Sequence, residues 1–135
     1  MTTQLPLLPS VDVAVVGGGT AAIAAALELK NTGLTVMVIG GRSYFGEDIC
    51  DSLRLFLPAD MQLDTPLAKR LYAPAMEAKA AIRPMHIKLE LERALREAQI
   101  PYLLCTLPGE LITDETGTIT GVTLCNRSGR QVLPC

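Results

Sequence analysis

The stretch Val11–Ile39, VDVAVVGGGTAAIAAALELKNTGLTVMVI, decides the fold of this chain. It opens with a short valine-rich run, Val11–Val16, which is typical of a buried parallel strand. The next segment, Ala21–Lys30, is almost entirely Ala, Ile, Leu and Glu, a composition that favours a helix. Leu34–Ile39 predicts a second buried strand. Strand, glycine turn, helix and strand fit within about thirty residues, the length of one dinucleotide-binding βαβ unit.

The turn between the first strand and the helix has the sequence GGGTAA and contains the pattern G-x-G-x-x-A. The first glycine of such a turn permits the tight bend, and the second lets the backbone approach a pyrophosphate. The third position must be small so that helix and strand pack closely. A diphosphate would bind against the free N–H groups at the positive end of the helix. The candidate diphosphate-binding residues are therefore Gly17, Gly18, Gly19, Thr20, Ala21 and Ala22. The alternative is a ligand-free turn of an α/β fold.

Composition limits the classes of partner. At 135 residues the chain is long enough for one domain with a buried core. Its net charge of −2 predicts no binding to nucleic acid or to a membrane surface. Four cysteines without a C-x-x-C pair, together with a single histidine, predict no metal site. Since 49% of the residues are hydrophobic, part of the surface is expected to be covered by a partner chain or by the rest of a larger protein.

The beginning of the chain shows no targeting signal. Residues 1–10 carry neither a basic region nor a long apolar run, so no signal peptide is predicted, and they are expected to form a flexible leader. No apolar run approaches the roughly 20 residues that span a bilayer. A cytoplasmic protein is therefore expected.

The second strand ends at Gly40, Gly41 and Arg42. A dinucleotide fold usually places Asp or Glu here to bind a ribose hydroxyl, and this chain has no carboxylate at the position. Arg42 could meet a phosphate instead, which makes NADP an alternative cofactor. The other interpretation of Arg42 is a solvent-exposed side chain after a flexible turn.

The middle of the chain predicts helices. Ser43–Gln62 has the composition of a loop, and Asp64–Ala81 predicts a helix that Pro74 kinks or divides in two. Pro84 is expected to close that region. His86–Gln99 predicts a cleaner amphipathic helix.

The last third of the chain predicts strands. Ile100–Cys105 is expected to be the next parallel strand. Glu110–Thr113, Thr118–Cys125 and Arg130–Leu133 are separated by turns rich in Asp, Asn and Gly, a pattern that predicts an antiparallel meander. The expected fold class is therefore α/β, with a Rossmann-like parallel βαβ sheet followed by an antiparallel β-meander.

The segment from Val15 to Ala26, VVGGGTAAIAAA, resembles the opening V-V-G-G-G-P-A-G-I-A-A-A of glutathione-reductase-like FAD-dependent oxidoreductases. After its second strand that group often has an acid, a basic residue, an aromatic residue and two glycines. Here Gly40 replaces the acid and Glu47 replaces the second glycine, while three residues match the pattern: Arg42, Phe45 and Gly46. Later segments are also similar to its helix, third strand and meander: Leu89–Leu95, Tyr102–Leu104, Thr120–Val122 and Asn126–Arg130.

The resemblance implies FAD as the cofactor, with NADP as the alternative that Arg42 suggests. Carried over by position, the glycine turn lines the diphosphate. Three residues lie beside the adenosine ribose: Gly40, Gly41 and Arg42. Four residues approach the ribityl and flavin end: Gly46, Glu47, Asp48 and Ile49. The backbone of Leu107 and Pro108 faces the adenine.

The resemblance also implies an incomplete domain. Members of the group continue, after the meander, into a strand with an A-T-G-type or G-D motif, whereas this sequence stops at Leu133–Cys135. Residues 1–135 are therefore expected to be the N-terminal, FAD-binding part of a larger flavoprotein, incomplete without a further segment. A second polypeptide in a hetero-oligomer would supply the rest of the flavin site and the site for a small-molecule substrate.

The catalytic residues stay unassigned, with Cys50 and Glu47 as candidates. Cys50 follows the loop after which disulfide reductases carry a redox pair, but no second cysteine lies nearby. The alternative for Cys50 is a thiol that only packs in the core, and the alternative for Glu47 is a solvent-exposed acid of the loop. Three functions remain open: an FAD-dependent oxidoreductase subunit or fragment, an NADP-binding domain, or a non-catalytic nucleotide-binding module of a larger assembly.

Overall fold

The computed structural model describes residues 5–58 and 60–135. The strands are β1 Val13–Val16, β2 Val36–Ile39, β3 Tyr102–Leu103, β4 Leu107–Thr113, β5 Ile119–Asn126 and β6 Gly129–Pro134. The helices are α1 Thr20–Asn31, α2 Glu47–Cys50, α3 Pro66–Glu77 and α4 Pro84–Glu97. In the described part of the chain, every helix is too short or too polar to cross a bilayer.

Two three-stranded sheets form the core of the fold. β1, β2 and β3 make a parallel sheet in that order, and β4, β5 and β6 make an antiparallel meander. The predicted fold class is confirmed. Leu8 N–H donates to the Val132 carbonyl of β6 at 2.8 Å, and Val132 N–H donates to the Pro6 carbonyl at 2.9 Å. The described end of the expected leader, from residue 5, is therefore paired with the meander.

β2 connects three layers, because alternate side chains of a strand point to opposite faces of the sheet. Val36 and Val38 pack against the helices, within a cluster that includes Ile23 of α1. Met37 and Ile39 pack against the meander, within a second cluster. The order of layers is thus helices, parallel sheet, meander.

The sequence prediction for β1 was wrong in one respect. A buried strand was expected, whereas three of its residues are half-buried and Val16 is 52% exposed. The reason is its place in the sheet, since β1 lies at the edge and β2 at the centre.

The helix boundaries also differ from expectation. Part of the expected loop forms the short helix α2. Pro84 is the first residue of α4, whereas it was expected to close the region before that helix. Proline suits this position because an N–H group in the first turn has no acceptor within the helix, so its absence costs nothing. α3 continues past Pro74 to Glu77 instead of dividing there.

A side chain from α4 compensates for Pro74. Proline has no N–H, so the carbonyl four residues earlier, on Arg70, loses its helical donor. His86 Nε2 lies 3.1 Å from that carbonyl oxygen and donates to it. Arg70 also joins the two helices through its guanidinium, which binds Glu90 and lies 2.6 Å from Glu97. The hydrogen bond from Arg70 lowers the pKa of Glu90.

A double-mutant cycle tests this compensation. His86→Ala is expected to lower the free energy of unfolding by about 1–2 kcal/mol, because a partly buried carbonyl loses its donor. In a Pro74→Ala background the helix itself supplies an N–H at position 74, and the same change is expected to cost less than about 0.5 kcal/mol. Urea unfolding of the four proteins measures the coupling. Equal costs in both backgrounds would show that His86 does not replace the missing donor.

Candidate functional site

The bend between β1 and α1 depends on Gly17. Its φ is +142°, a backbone conformation that side-chain-bearing residues rarely adopt. Its N–H donates to the Ile39 carbonyl at 2.9 Å, which joins the bend to the end of β2. A Cβ on Gly17 would lie 3.2 Å from the Ala22 Cβ. Both residues must therefore be small for strand and helix to approach this closely.

The N-terminus of α1 offers donors to an anion. Gly19 is the N-cap and has no side chain to satisfy the first-turn N–H groups. The N–H groups of Thr20, Ala21 and Ala22 have no acceptor within the helix. The aligned peptide dipoles add a partial positive charge at this end. The six residues predicted from the sequence thus form one contiguous bend with the properties of an anion site.

A carboxylate from the same chain lies at this helix end. Thr20 N–H is 3.1 Å from both carboxylate oxygens of Asp48, and Thr20 Oγ1 donates to Asp48 Oδ2 at 2.5 Å. The sequence placed Asp48 toward the flavin end of a cofactor. In the structure its carboxylate caps the N-terminus of α1, where the diphosphate is expected.

A second carboxylate lies over the neighbouring glycine. A Cβ on Gly18 would be 3.1 Å from Glu47 Oε2, and a Cβ on Gly19 would be 3.1 Å from Asp48 Cγ. The glycines therefore leave space that two acidic side chains fill. The backbone of the bend fits a diphosphate, whereas the carboxylates of Glu47 and Asp48 oppose one.

Gly46 holds these acids in place. Its φ is +87°, and its N–H donates to the Gly18 carbonyl at 2.7 Å. A Cβ here would lie 2.7 Å from Ile87 Cγ2 and 3.0 Å from Leu91 Cδ1, both on α4. α2 can pack between the bend and α4 only because residue 46 has no side chain. Ile49, the last of the four residues expected at the flavin end, is half-buried on α2.

Tyr72 joins the site from α3, and no feature of the sequence had singled it out. Burial raises the pKa of its hydroxyl, and the negative charge of Asp48 raises it further, while a hydrogen bond with Thr20 opposes both. No sequence pattern indicated which surface Tyr72 would face.

The tip of β2 forms a second group of candidate residues. A Cβ on Gly40 would be 3.1 Å from Leu104 Cδ2 and 3.4 Å from Phe45 Cε1. Apolar side chains thus occupy the place where a ribose-binding acid usually projects. A Cβ on Gly41 would be 3.4 Å from Leu107 Cδ2, so the start of β4 adjoins this tip.

Arg42 and Pro108 have partners within the chain. The Arg42 guanidinium lies 3.4 Å from Asp51 Oδ2, and both side chains are well exposed. Asp51 also accepts a hydrogen bond from the Tyr44 hydroxyl. Pro108 pairs with Leu124 in the meander.

The two catalytic candidates differ in environment. Glu47 is half-buried beside the bend, whereas Cys50 is buried, with its Sγ 3.7 Å from the Pro84 carbonyl oxygen. Burial raises the pKa of the Cys50 thiol, against the opposing charge of Lys88. A buried thiol with a raised pKa has the properties of a packing residue rather than of a nucleophile.

Comparison with known proteins gives one family and a group of similar folds. A family model described as FAD dependent oxidoreductase matches residues 12–135. No curated protein matches the sequence.

Three solved structures illustrate the similarity in fold. A 3-ketosteroid-delta4-(5alpha)-dehydrogenase from Rhodococcus jostii RHA1 is 13% identical with a TM-score of 0.60, and the match covers 99% of this chain and 45% of that one. An L-proline dehydrogenase from P. horikoshii is 21% identical with a TM-score of 0.59, covering 98% and 22%. A ferredoxin reductase from Rhodopseudomonas palustris is 18% identical with a TM-score of 0.56, covering 97% and 22%. This chain therefore spans less than half the length of each of these structures.

Proposed function

This chain belongs to the FAD-dependent oxidoreductase family, and from that premise we propose that it forms the part of such an enzyme that binds the ADP portion of FAD. FAD is the cofactor of the family. When bound, it would supply the electron-transfer chemistry, while the protein positions it and adjusts its surroundings. The finer assignment to the glutathione-reductase-like group is supported by the sequence of Val15–Ala26 and stays part of the proposal.

One observation carries the proposal: Gly17, with φ +142°, turns the chain from β1 into the N-terminus of a twelve-residue helix whose N-cap residue, Gly19, has no side chain to satisfy the first N–H groups. N–H groups of the bend and of Thr20–Ala22 would bind the diphosphate oxygens. Gly40 and Gly41 at the tip of β2 would lie beside the adenosine. No residue of the chain is assigned a catalytic step.

We propose further that a second polypeptide completes the site and contributes the pocket for a small-molecule substrate. The support is the outer edge of the parallel sheet, where Val16 of β1 is 52% exposed beside the bend. An edge strand exposes unpaired N–H and carbonyl groups that another strand can bind. The cytoplasmic location belongs to the same proposal.

A second candidate function is a non-catalytic nucleotide-binding module of a larger assembly. The burial of Cys50 favours it, because a packing thiol beside the bend offers no nucleophile for catalysis. The alternative of NADP as the cofactor depended on a free Arg42 to bind the extra phosphate. The Arg42 guanidinium pairs with Asp51, which weakens that alternative.

Native mass spectrometry of the purified 14.4 kDa chain with equal concentrations of FAD and NADPH tests the proposal. We expect an adduct of one FAD per chain and no NADPH adduct. Binding of NADPH in preference to FAD would contradict the proposal in favour of the NADP alternative. Binding of neither ligand, in a chain that circular dichroism shows to be folded, would contradict the role in binding FAD.

A further inference from the structure

We propose that Asp48 is a built-in competitor of FAD, whose carboxylate occupies the diphosphate position and weakens the affinity of the chain for its cofactor. The inference rests on the proposed function, because it concerns the same bend. It assigns to Asp48 a role opposite to the cofactor-binding role that its position in the sequence predicts.

The first argument is that both anions need the same donor. Thr20 N–H lies 3.1 Å from each Asp48 carboxylate oxygen, and the Thr20 hydroxyl donates to the same group at 2.5 Å. The N-terminus of a helix binds one anion through its first N–H groups, and a diphosphate would use this same end of α1. Asp48 must therefore release Thr20 before a diphosphate can take its place.

The second argument is charge. Glu47 Oε2 lies 3.1 Å from the position of a Cβ on Gly18, and Asp48 Cγ lies 3.1 Å from that on Gly19. A diphosphate that reached the bend with both carboxylates in place would meet two negative charges at close range. Like charges at such distances repel each other.

The third argument is that Asp48 can leave without unfolding its helix. Its residue is exposed, and it lies on the four-residue helix α2. The backbone of this segment is held independently of the carboxylate, by Gly46 N–H on the Gly18 carbonyl and by Ser52 Oγ on the Asp48 carbonyl at 2.5 Å. A rotation of the Asp48 side chain toward solvent therefore frees the helix end while α2 stays in place.

The test compares FAD affinity across charge variants by flavin fluorescence titration. Asp48→Asn and Asp48→Ala are expected to bind FAD at least about tenfold more tightly than the wild type, because each removes the competing charge. Glu115→Gln is the control, since Glu115 is an exposed acid in the turn between β4 and β5, and its affinity is expected to equal that of the wild type.

A second measurement uses inorganic pyrophosphate as the probe and needs no flavin. Without ligand, Asp48→Ala is expected to melt about 2–6 °C below the wild type, because α1 loses its cap. Millimolar pyrophosphate is expected to raise the melting temperature of Asp48→Asn and to leave that of the wild type and of Glu115→Gln unchanged.

The outcomes separate the two proposals. Equal FAD affinity in the wild type and Asp48→Asn would overturn the competitor role and leave the proposed function standing. Absence of FAD binding from every variant would overturn the proposed function, and the pyrophosphate melting curves would then decide the competitor role. Pyrophosphate shifts that are equal in the wild type and Asp48→Asn, or absent from both, would overturn it.

Discussion

Gly46→Ala is expected to lower the free energy of unfolding by about 2–5 kcal/mol. A side chain at φ +87° costs about 1–2 kcal/mol in backbone strain. The added Cβ would also lie 2.7 Å from Ile87 Cγ2 and 3.0 Å from Leu91 Cδ1. Overpacking of this kind costs about 1–3 kcal/mol. Chemical unfolding monitored by circular dichroism measures the sum.

Gly33→Ala is the matched control for that experiment. Gly33 has nearly the same φ, +89°, but a Cβ there would meet nothing within 4 Å. This variant is expected to show the backbone cost alone, about 1–2 kcal/mol. If the two variants lose equal stability, the packing of Gly46 against α4 does not hold α2 beside the bend.

Gly17→Ala is expected to weaken FAD binding by about 100-fold, or ~2.7 kcal/mol. The new Cβ would lie 3.2 Å from the Ala22 Cβ, in a residue held at φ +142°. Strand and helix would have to separate, which moves the N–H groups away from the diphosphate. Flavin fluorescence titration measures the loss of affinity.

The control for Gly17→Ala is Gly117→Ala, in the turn between β4 and β5. Gly117 also has a positive φ, +85°, and open space around its Cβ position, so this change strains the backbone far from the bend. Its FAD affinity is expected to stay within about twofold of the wild type. Equal losses in both variants would mean that general destabilisation, and not the bend, controls binding.

The bend could be predicted from the sequence because its signals are local. Residues 11–39 contain the strand, the glycines, the helix and the second strand in order, and spacing along the chain fixes their contacts. The meander could be predicted in the same way, because Asp, Asn and Gly mark its turns.

The contacts that decide the chemistry of the site connect distant parts of the chain, and no periodic sequence pattern predicts them. Asp48 binds Thr20 across 28 residues. Leu104 fills the space beside Gly40 from 64 positions away. A sequence shows that an acid replaces a glycine after the second strand, but it does not show that an acid reaches the helix end.

The same limit explains the errors in secondary structure. Pro74 predicts a kink or a division of the helix on local grounds; α3 is not divided, and His86 of the next helix supplies a donor for the Arg70 carbonyl. The apolar run of β1 predicts burial, while its place at the edge of the sheet leaves Val16 half-exposed. In each case a tertiary contact or a sheet position outweighs a correct local signal.

The most direct measurement of where FAD binds is an NMR titration of the ¹⁵N-labelled chain. This method detects weak binding. We expect FAD to bind weakly, because the carboxylate of Asp48 competes with its diphosphate. We expect the amide signals of Gly18–Ala22 to shift most and to saturate at one FAD per chain. Absence of saturable shifts at the bend, or saturable shifts confined to another surface, would contradict a diphosphate site at the N-terminus of α1.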